Sequence, residues 1–146
     1  MTTNTRIDSI RAAEPVGPYP HARRAGNLLF LSGVGPRKRG TKDIPGSTLD
    51  ANGNLIDYNI EAEILSCFEN IRSILEDAGT RWENIIDVTV FLTNMKRDWT
   101  TYNTIYARHF PAGPNQPTRT TCEIVSLPTG GNSPIHFEIK VVATMP

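Results

Sequence analysis

The chain has 146 residues, enough for one domain with one core. Its apolar content of 38% and charged content of 21% are those of a globular protein and exclude the disordered and fibrous classes. With 15 basic against 15 acidic residues the net charge is zero, so nothing draws the molecule as a whole to nucleic-acid phosphates or anionic lipid, and neither is an expected partner.

The amino terminus, MTTNTRIDSI, lacks the apolar segment of a secretory leader, and no run of about 18 apolar residues occurs. A cytoplasmic location is the expectation. Residues 14–26, EPVGPYPHARRAG, read as an ordered loop or an edge, because Pro15, Pro18 and Pro20 cannot donate to a ladder. NLLFLSG, residues 27–33, is a short apolar run between Gly26 and Gly33 and predicts a strand covered on both faces. The long polar stretch at 35–57 has the length of a functional loop, and its Asn52-Gly53 pair predicts a type I′ hairpin turn. The cations of RKRGTK, residues 37–42, read as a solvated loop or as a lid over an anionic substrate.

From Asn59 the spacing turns helical. Ile60, Ile64, Phe68, Ile71, Leu75 and Ala78 share one face, Glu61, Glu63, Glu69, Arg72 and Glu76 lie elsewhere, and Gly79 stops the helix. NIIDVTVFLTN, residues 84–94, predicts a strand with Ile86, Val88, Val90 and Leu92 on one side. Asp98 predicts the N-cap of a second helix over 99–110, which Pro111 ends. Trp82 and Trp99 read as packing at element ends. RTTCEIVSL and IHFEIKVVA are the closing strands, joined by PTGGNSP. Cys67 and Cys122 fall in no CxxC pair or Cys/His cluster and read as reduced core residues. The order gives an α+β fold, one sheet with two helices on one face and the other face solvated or covered by another subunit.

Arg119 interrupts this pattern, because an apolar residue would suit the start of a strand better. Strand alternation puts Arg119, Thr121 and Glu123 on one polar face and Thr120, Cys122 and Ile124 on the other. By spacing alone, a surface salt bridge accounts for Arg119 and a solvated strand position for Glu138.

Three stretches carry more information than spacing: VGPYPHARRAGNLLFLSG, then YNTIYARHF, then TRTTCEIVSLP followed by HFEIKVVA. In this order, over nearly the whole chain, they resemble the RidA/YjgF family of enamine and imine deaminases. The resemblance implies a chorismate-mutase-like fold over one domain, residues 1–146, with a mixed sheet. It also implies assembly as a homotrimer, or a dimer of trimers, with active sites in clefts between subunits. It gives Arg119 the task of holding a substrate carboxylate and associates Glu138 with the attacking water, either as base or by positioning that water. Tyr19 matches the family's GPY tyrosine, and Asn103 and Tyr106 match helix positions near the cleft. Thr121 stands where many members have cysteine, so a hydroxyl replaces a thiol beside the ligand. His21 is a further candidate, as a proton shuttle or as a turn residue; His109 and His136 have weaker cases.

Within the family, YPHARRAGNLLFLSGVGPR and the basic loop look most like the deaminases that act on 2-aminomuconate. That substrate carries two carboxylates, which implies a second cationic anchor. Arg37 is the first candidate, ahead of Arg23, Arg24, Lys38 and Arg39. The chemistry needs neither metal nor redox cofactor: an imine takes up water and the carbinolamine expels ammonia, turning 2-aminomuconate into 4-oxalocrotonate in the breakdown of nitrobenzoate- or aminophenol-type aromatics. The alternatives are a broad deaminase of 2-aminoacrylate-like intermediates and a regulator that binds ligand or RNA in the same cleft without turnover.

Overall fold

The computed structural model describes residues 4–41, 43–129 and 133–146. Lys42 and the Gly130–Asn132 part of the PTGGNSP connection therefore lie outside the described residues.

Six strands form one sheet. β1 (Thr5–Ile7), β2 (Ala22–Ala25) and β3 (Leu28–Leu31) precede the first helix, and β6 (Ile85–Leu92), β7 (Thr118–Glu123) and β8 (Phe137–Thr144) follow it. β4 (Thr48–Leu49) and β5 (Leu55–Asp57) make a separate hairpin. The strand order is β1-β2-β3-β8-β6-β7. Every neighbouring pair is antiparallel except β6 and β7, so the sheet is mixed.

α1 (Ile60–Asp77) begins where expected. The Asn59 side chain accepts the Ala62 N–H, and Ile60, Ile64, Phe68, Ile71 and Leu75 enter the core. α2 (Met95–His109) starts earlier than expected, because Asn94 rather than Asp98 is the cap and accepts the Arg97 N–H at 3.0 Å. Both residues suit the role by type; Asp98 lies buried in the first turn and accepts the Tyr58 hydroxyl at 2.7 Å. Glu63 also departs from its expected polar side. It is fully buried and accepts both the backbone N–H of His136 at 2.8 Å and its Nδ1–H at 2.7 Å. Among the described residues no helix is long and apolar enough to cross a membrane.

Both helices lie on one face of the sheet. Leu29, Leu31, Val88, Val90, Leu92, Phe137, Ile139 and Val141 are fully buried beneath them and form the core with the apolar faces of α1 and α2. The opposite face is partly open, which corrects the reading of β3 as covered on both sides: Phe30 is 42% exposed. Ile86 is also exposed, and Ile85 takes the core position assigned to it because the β6/β8 register shifts at that point. Cys67 is buried, whereas Cys122 is only half-buried on the open face. A smaller cluster of Ile44, Leu127 and Ile135, with Phe91 and Ile124 against it, covers part of that face.

The residues at 22–25 form a strand inside the sheet, not an edge loop. The Asn52-Gly53 hairpin forms, but its turn is not type I′. Only Gly53 has positive φ (+83°), and its N–H bonds to the Asp50 carbonyl, which makes a type I turn followed by a left-handed glycine.

Candidate active site

The sequence candidates collect in two clusters. Sheet register decides which side chains share a face, and β6 supplies the common reference. Phe91 pairs with both Glu138 and Cys122, which puts those side chains on the open face; Val88, a core residue, pairs with Arg119 and Val141. Glu138 and Arg119 therefore lie on opposite faces of the sheet.

The Glu138 cluster sits in a cleft lined by Tyr19, His21, Ser32, Gly33, Arg37 and Glu138 among others. Val34 and Ile139 exchange backbone hydrogen bonds of 2.8 and 3.1 Å, and this brings Gly33 against the carboxylate. A Cβ on Gly33 would stand 2.5 Å from Glu138 Oε2, so only glycine leaves that carboxyl its place. Gly33→Ala is expected to displace the carboxyl, the far end of a flexible side chain, at a stability cost of about 0.5–1.5 kcal/mol. Thermal unfolding together with kcat/KM tests this, and an unchanged rate would show that the position of the carboxyl is unimportant.

Burial pushes the Glu138 carboxyl above its ordinary range, and the positive charge of Arg37 partly opposes the shift. Burial in turn lowers the pKa of the Arg37 guanidinium. Its Nη2 reaches the Pro128 carbonyl at a long 3.4 Å, and its buried Nε has no hydrogen-bond partner. A half-buried cation with unused donors in the same cleft as a carboxylate is equipped to receive an anionic ligand group. The neighbouring cation of the basic loop, Arg39, instead donates to the Ser9 and Ala12 carbonyls at 3.2 and 2.9 Å. Arg23 lies on β2, paired with Phe30 on the open face of the sheet, and Arg24 donates to the Gly26 carbonyl.

His21 lines the same cleft, but both ring nitrogens are engaged by backbone. The Ser9 N–H donates to Nδ1 at 2.9 Å, so the proton is on Nε2, which donates to the Ala13 carbonyl at 2.7 Å. In this geometry His21 ties down the amino-terminal arm and has no free nitrogen for a ligand or a shuttled proton.

The Arg119 cluster stands at the β7 edge. The polar face of β7 meets α2 and does not open to solvent as a whole: Thr121 and Tyr102 share a hydrogen bond of 2.8 Å, and Glu123 accepts the Met95 N–H at 2.9 Å. The Thr121 hydroxyl expected beside a ligand is therefore taken by Tyr102. Arg119 is exposed yet held. Its Nη1 donates to Asn103 Oδ1 at 2.9 Å, and its Cζ lies 4.6 Å from the Tyr106 ring centre, 5.1 Å from Tyr102 and 5.6 Å from Trp99. Three aromatic rings and an amide fix the guanidinium plane, and the Tyr102 hydroxyl also hydrogen-bonds it. Tyr106 contributes its ring face. Its hydroxyl is buried without a partner, and desolvation pushes it up to about 12. Trp99 and Tyr102 belong to the site and were not legible as such, because aromatic residues on an amphipathic helix read as packing.

An α+β chain with two helices on a six-stranded mixed sheet, a half-buried carboxyl beside Gly33 and an arginine clasped at the sheet edge define the class. The chain matches the family described as Endoribonuclease L-PSP over residues 9–145 and belongs to it, together with the RidA, YjgF and RutC proteins. It is 33% identical over 132 residues to a RutC family protein of Pyrococcus horikoshii, with 90% of each chain covered. It is 28% identical to Reactive Intermediate Deaminase A, chloroplastic, of Arabidopsis thaliana, covering 95% of this chain and 65% of that one. Among solved structures, E. coli TdcF with bound serine matches with a TM-score of 0.75 at 25% identity, covering 97% of this chain and 99% of that one.

Proposed function

We propose that the chain is a hydrolytic deaminase of carboxylate-bearing enamines and imines, and that its substrate is 2-aminomuconate, converted to 4-oxalocrotonate and ammonia. The observation that carries the choice of substrate is Arg37, a half-buried guanidinium with a buried, unpartnered Nε in the cleft of Glu138. Arg119 holds one carboxylate through the N–H groups that Asn103 and Tyr102 leave to it, and Arg37 receives the second. Two such cations are superfluous for a small enamine with one carboxylate.

The assembly is a homotrimer in which the Glu138 cluster of one protomer meets the Arg119 cluster of its partner. The opposite faces of these two residues support that arrangement. The enamine takes a proton on carbon and becomes an imine. Glu138, with its carboxyl held by burial nearer to neutral pH, removes a proton from water as the oxygen adds to the C=N carbon and returns it to nitrogen; it then takes the carbinolamine hydroxyl proton as the C–N bond breaks, C=O forms and ammonia leaves, and that proton replaces the one first given to carbon. Tyr19, at the same cleft, encloses the ligand.

A broader reading, deamination of short amino-acid-derived enamines, is favoured by the name of the Arabidopsis relative and by the serine bound to TdcF. The two readings divide on Arg37. Wild type and Arg37→Met are assayed on enzymatically generated 2-aminomuconate and on 2-aminoacrylate, following ammonia release. The dicarboxylate reading expects Arg37→Met to lose about 10-fold or more in kcat/KM, roughly 1.4 kcal/mol, on the first substrate and little on the second. Wild-type decay of 2-aminomuconate no faster than in buffer sinks that reading, and equal small losses on both substrates favour the broader one.

A further inference from the structure

Arg37 sits outside the regular elements. Past Val34, which bridges to Ile139, the chain leaves the sheet, so the carbonyls of Gly35, Pro36 and Arg37 have no ladder partners. Two side chains of α1 satisfy all three. Asn70 Nδ2 donates to the Gly35 carbonyl at 3.1 Å and to the Arg37 carbonyl at 2.7 Å, and Ser66 Oγ donates to the Pro36 carbonyl at 2.6 Å. Asn70 Oδ1 accepts the Ala13 N–H at 3.2 Å. The amide thus holds the basic loop with one end and the amino-terminal arm with the other, and its orientation is unambiguous because carbonyls only accept.

Ser66 and Asn70 are four residues apart, one turn on the same helix face, and each is 8% exposed. A polar side chain buried there is unfavourable unless satisfied, and asparagine is a weak helix former, so apolar residues would suit the helix itself better. Their partners are loop backbone alone. The guanidinium beyond that loop has one long hydrogen bond of its own. Its direction is therefore set by where its backbone is held.

We propose that Ser66 and Asn70 are positioning residues that aim Arg37 into the Glu138 cleft, whose wall includes Asn70, and lock the Ala13 arm beside it. The inference rests on the reading of Arg37 as a carboxylate anchor, and its test separates the two. Binding of muconate, an unreactive dicarboxylate, and of crotonate, a monocarboxylate, is measured by calorimetry for wild type, Asn70→Ala, Ser66→Ala, Ser66→Thr, Arg37→Met and the double variant Asn70→Ala/Arg37→Met. Asn70→Ala is expected to weaken muconate about 10-fold with crotonate changed less than about 3-fold, Ser66→Ala to do so less, and Ser66→Thr to retain wild-type binding. The double variant should bind no more weakly than Arg37→Met, because both changes remove one anchor. Additive losses, or equal losses on both ligands, overturn the proposal.

A second readout needs no ligand. In wild type the buried Arg37 Nε–H should give a slowly exchanging signal in 15N NMR, assigned by its loss in Arg37→Met. In Asn70→Ala it should exchange at the rate of a solvated arginine; an unchanged signal overturns the positioning role whatever binds. If Arg37→Met leaves muconate affinity unaltered while Asn70→Ala still frees the Nε–H, the anchor reading fails and the positioning stands.

Discussion

Glutamine at position 138 is expected to leave a folded protein whose kcat/KM on an enamine substrate is lower by about 100-fold or more, the loss that follows removal of a positioned general base. The same change should stabilise the protein at neutral pH. Burial holds the Glu138 carboxyl above its ordinary 4.5, and Arg37 only partly opposes this. A carboxyl with a raised folded-state pKa contributes stability that is complete below the ordinary value and is lost as pH rises through the raised one. Glu138→Gln cannot ionise, so it should unfold at a higher temperature than wild type near pH 7.5 and at about the same temperature near pH 4. A variant that is inactive and less stable near pH 7.5 contradicts the assignment.

The pH profile of kcat/KM adds a direction. Wild type should lose activity as pH falls through the raised Glu138 value, with the acid limb above 4.5, and Glu138→Gln should lack that limb. Were the partner's Arg119 guanidinium packed against Glu138 itself, the carboxyl would be pulled the other way and the limb would fall below the ordinary range. The position of the limb therefore separates an arginine aimed at the ligand from one aimed at the base.

These properties were only partly legible in the residues. α1 was readable because Ile60, Ile64, Phe68, Ile71 and Leu75 repeat at the helical period between a capping Asn59 and a terminating Gly79, all local signals. β2 was not, because its residues Ala22–Ala25 carry no alternating apolar pattern and become a strand only between β1 and β3. Asp98 suits a cap by type, but the Tyr58 hydroxyl, forty positions away, gives it another role. Glu63 looked like a solvated helix residue for the same reason, since its partner His136 is distant in sequence. In the site, Arg119 stood out because it breaks the economy of a strand. Ser66 and Asn70 did not, because a polar residue on a helix is unremarkable until the loop it holds is seen.

Arg119→Ala and Arg119→Lys are both expected to lose about 100-fold or more in kcat/KM, within the 2–5 kcal/mol that truncating one side of a desolvated charge pair costs. Lysine should fail because the position is built for a plane: one arm of the fork meets Asn103 Oδ1 at 2.9 Å, and the Tyr106 ring lies 4.6 Å beneath Cζ. A lysine that restores activity would show that a point charge suffices. The decisive form of the experiment combines this variant with the other. Arg119 and Glu138 project from opposite faces of one sheet, paired to Val88 and Phe91 of β6, an odd number of residues apart. One chain cannot turn both toward one ligand, whereas two protomers can. In the proposed trimer, co-expressing Arg119→Ala with Glu138→Gln in equal amounts should then restore about a quarter of wild-type activity, because on random mixing about one site in four joins an intact Glu138 to a partner's intact Arg119. A mixture as inactive as its components would mean that the two residues serve different sites, and the carboxylate grip assigned to Arg119 would have to be sought elsewhere in the chain.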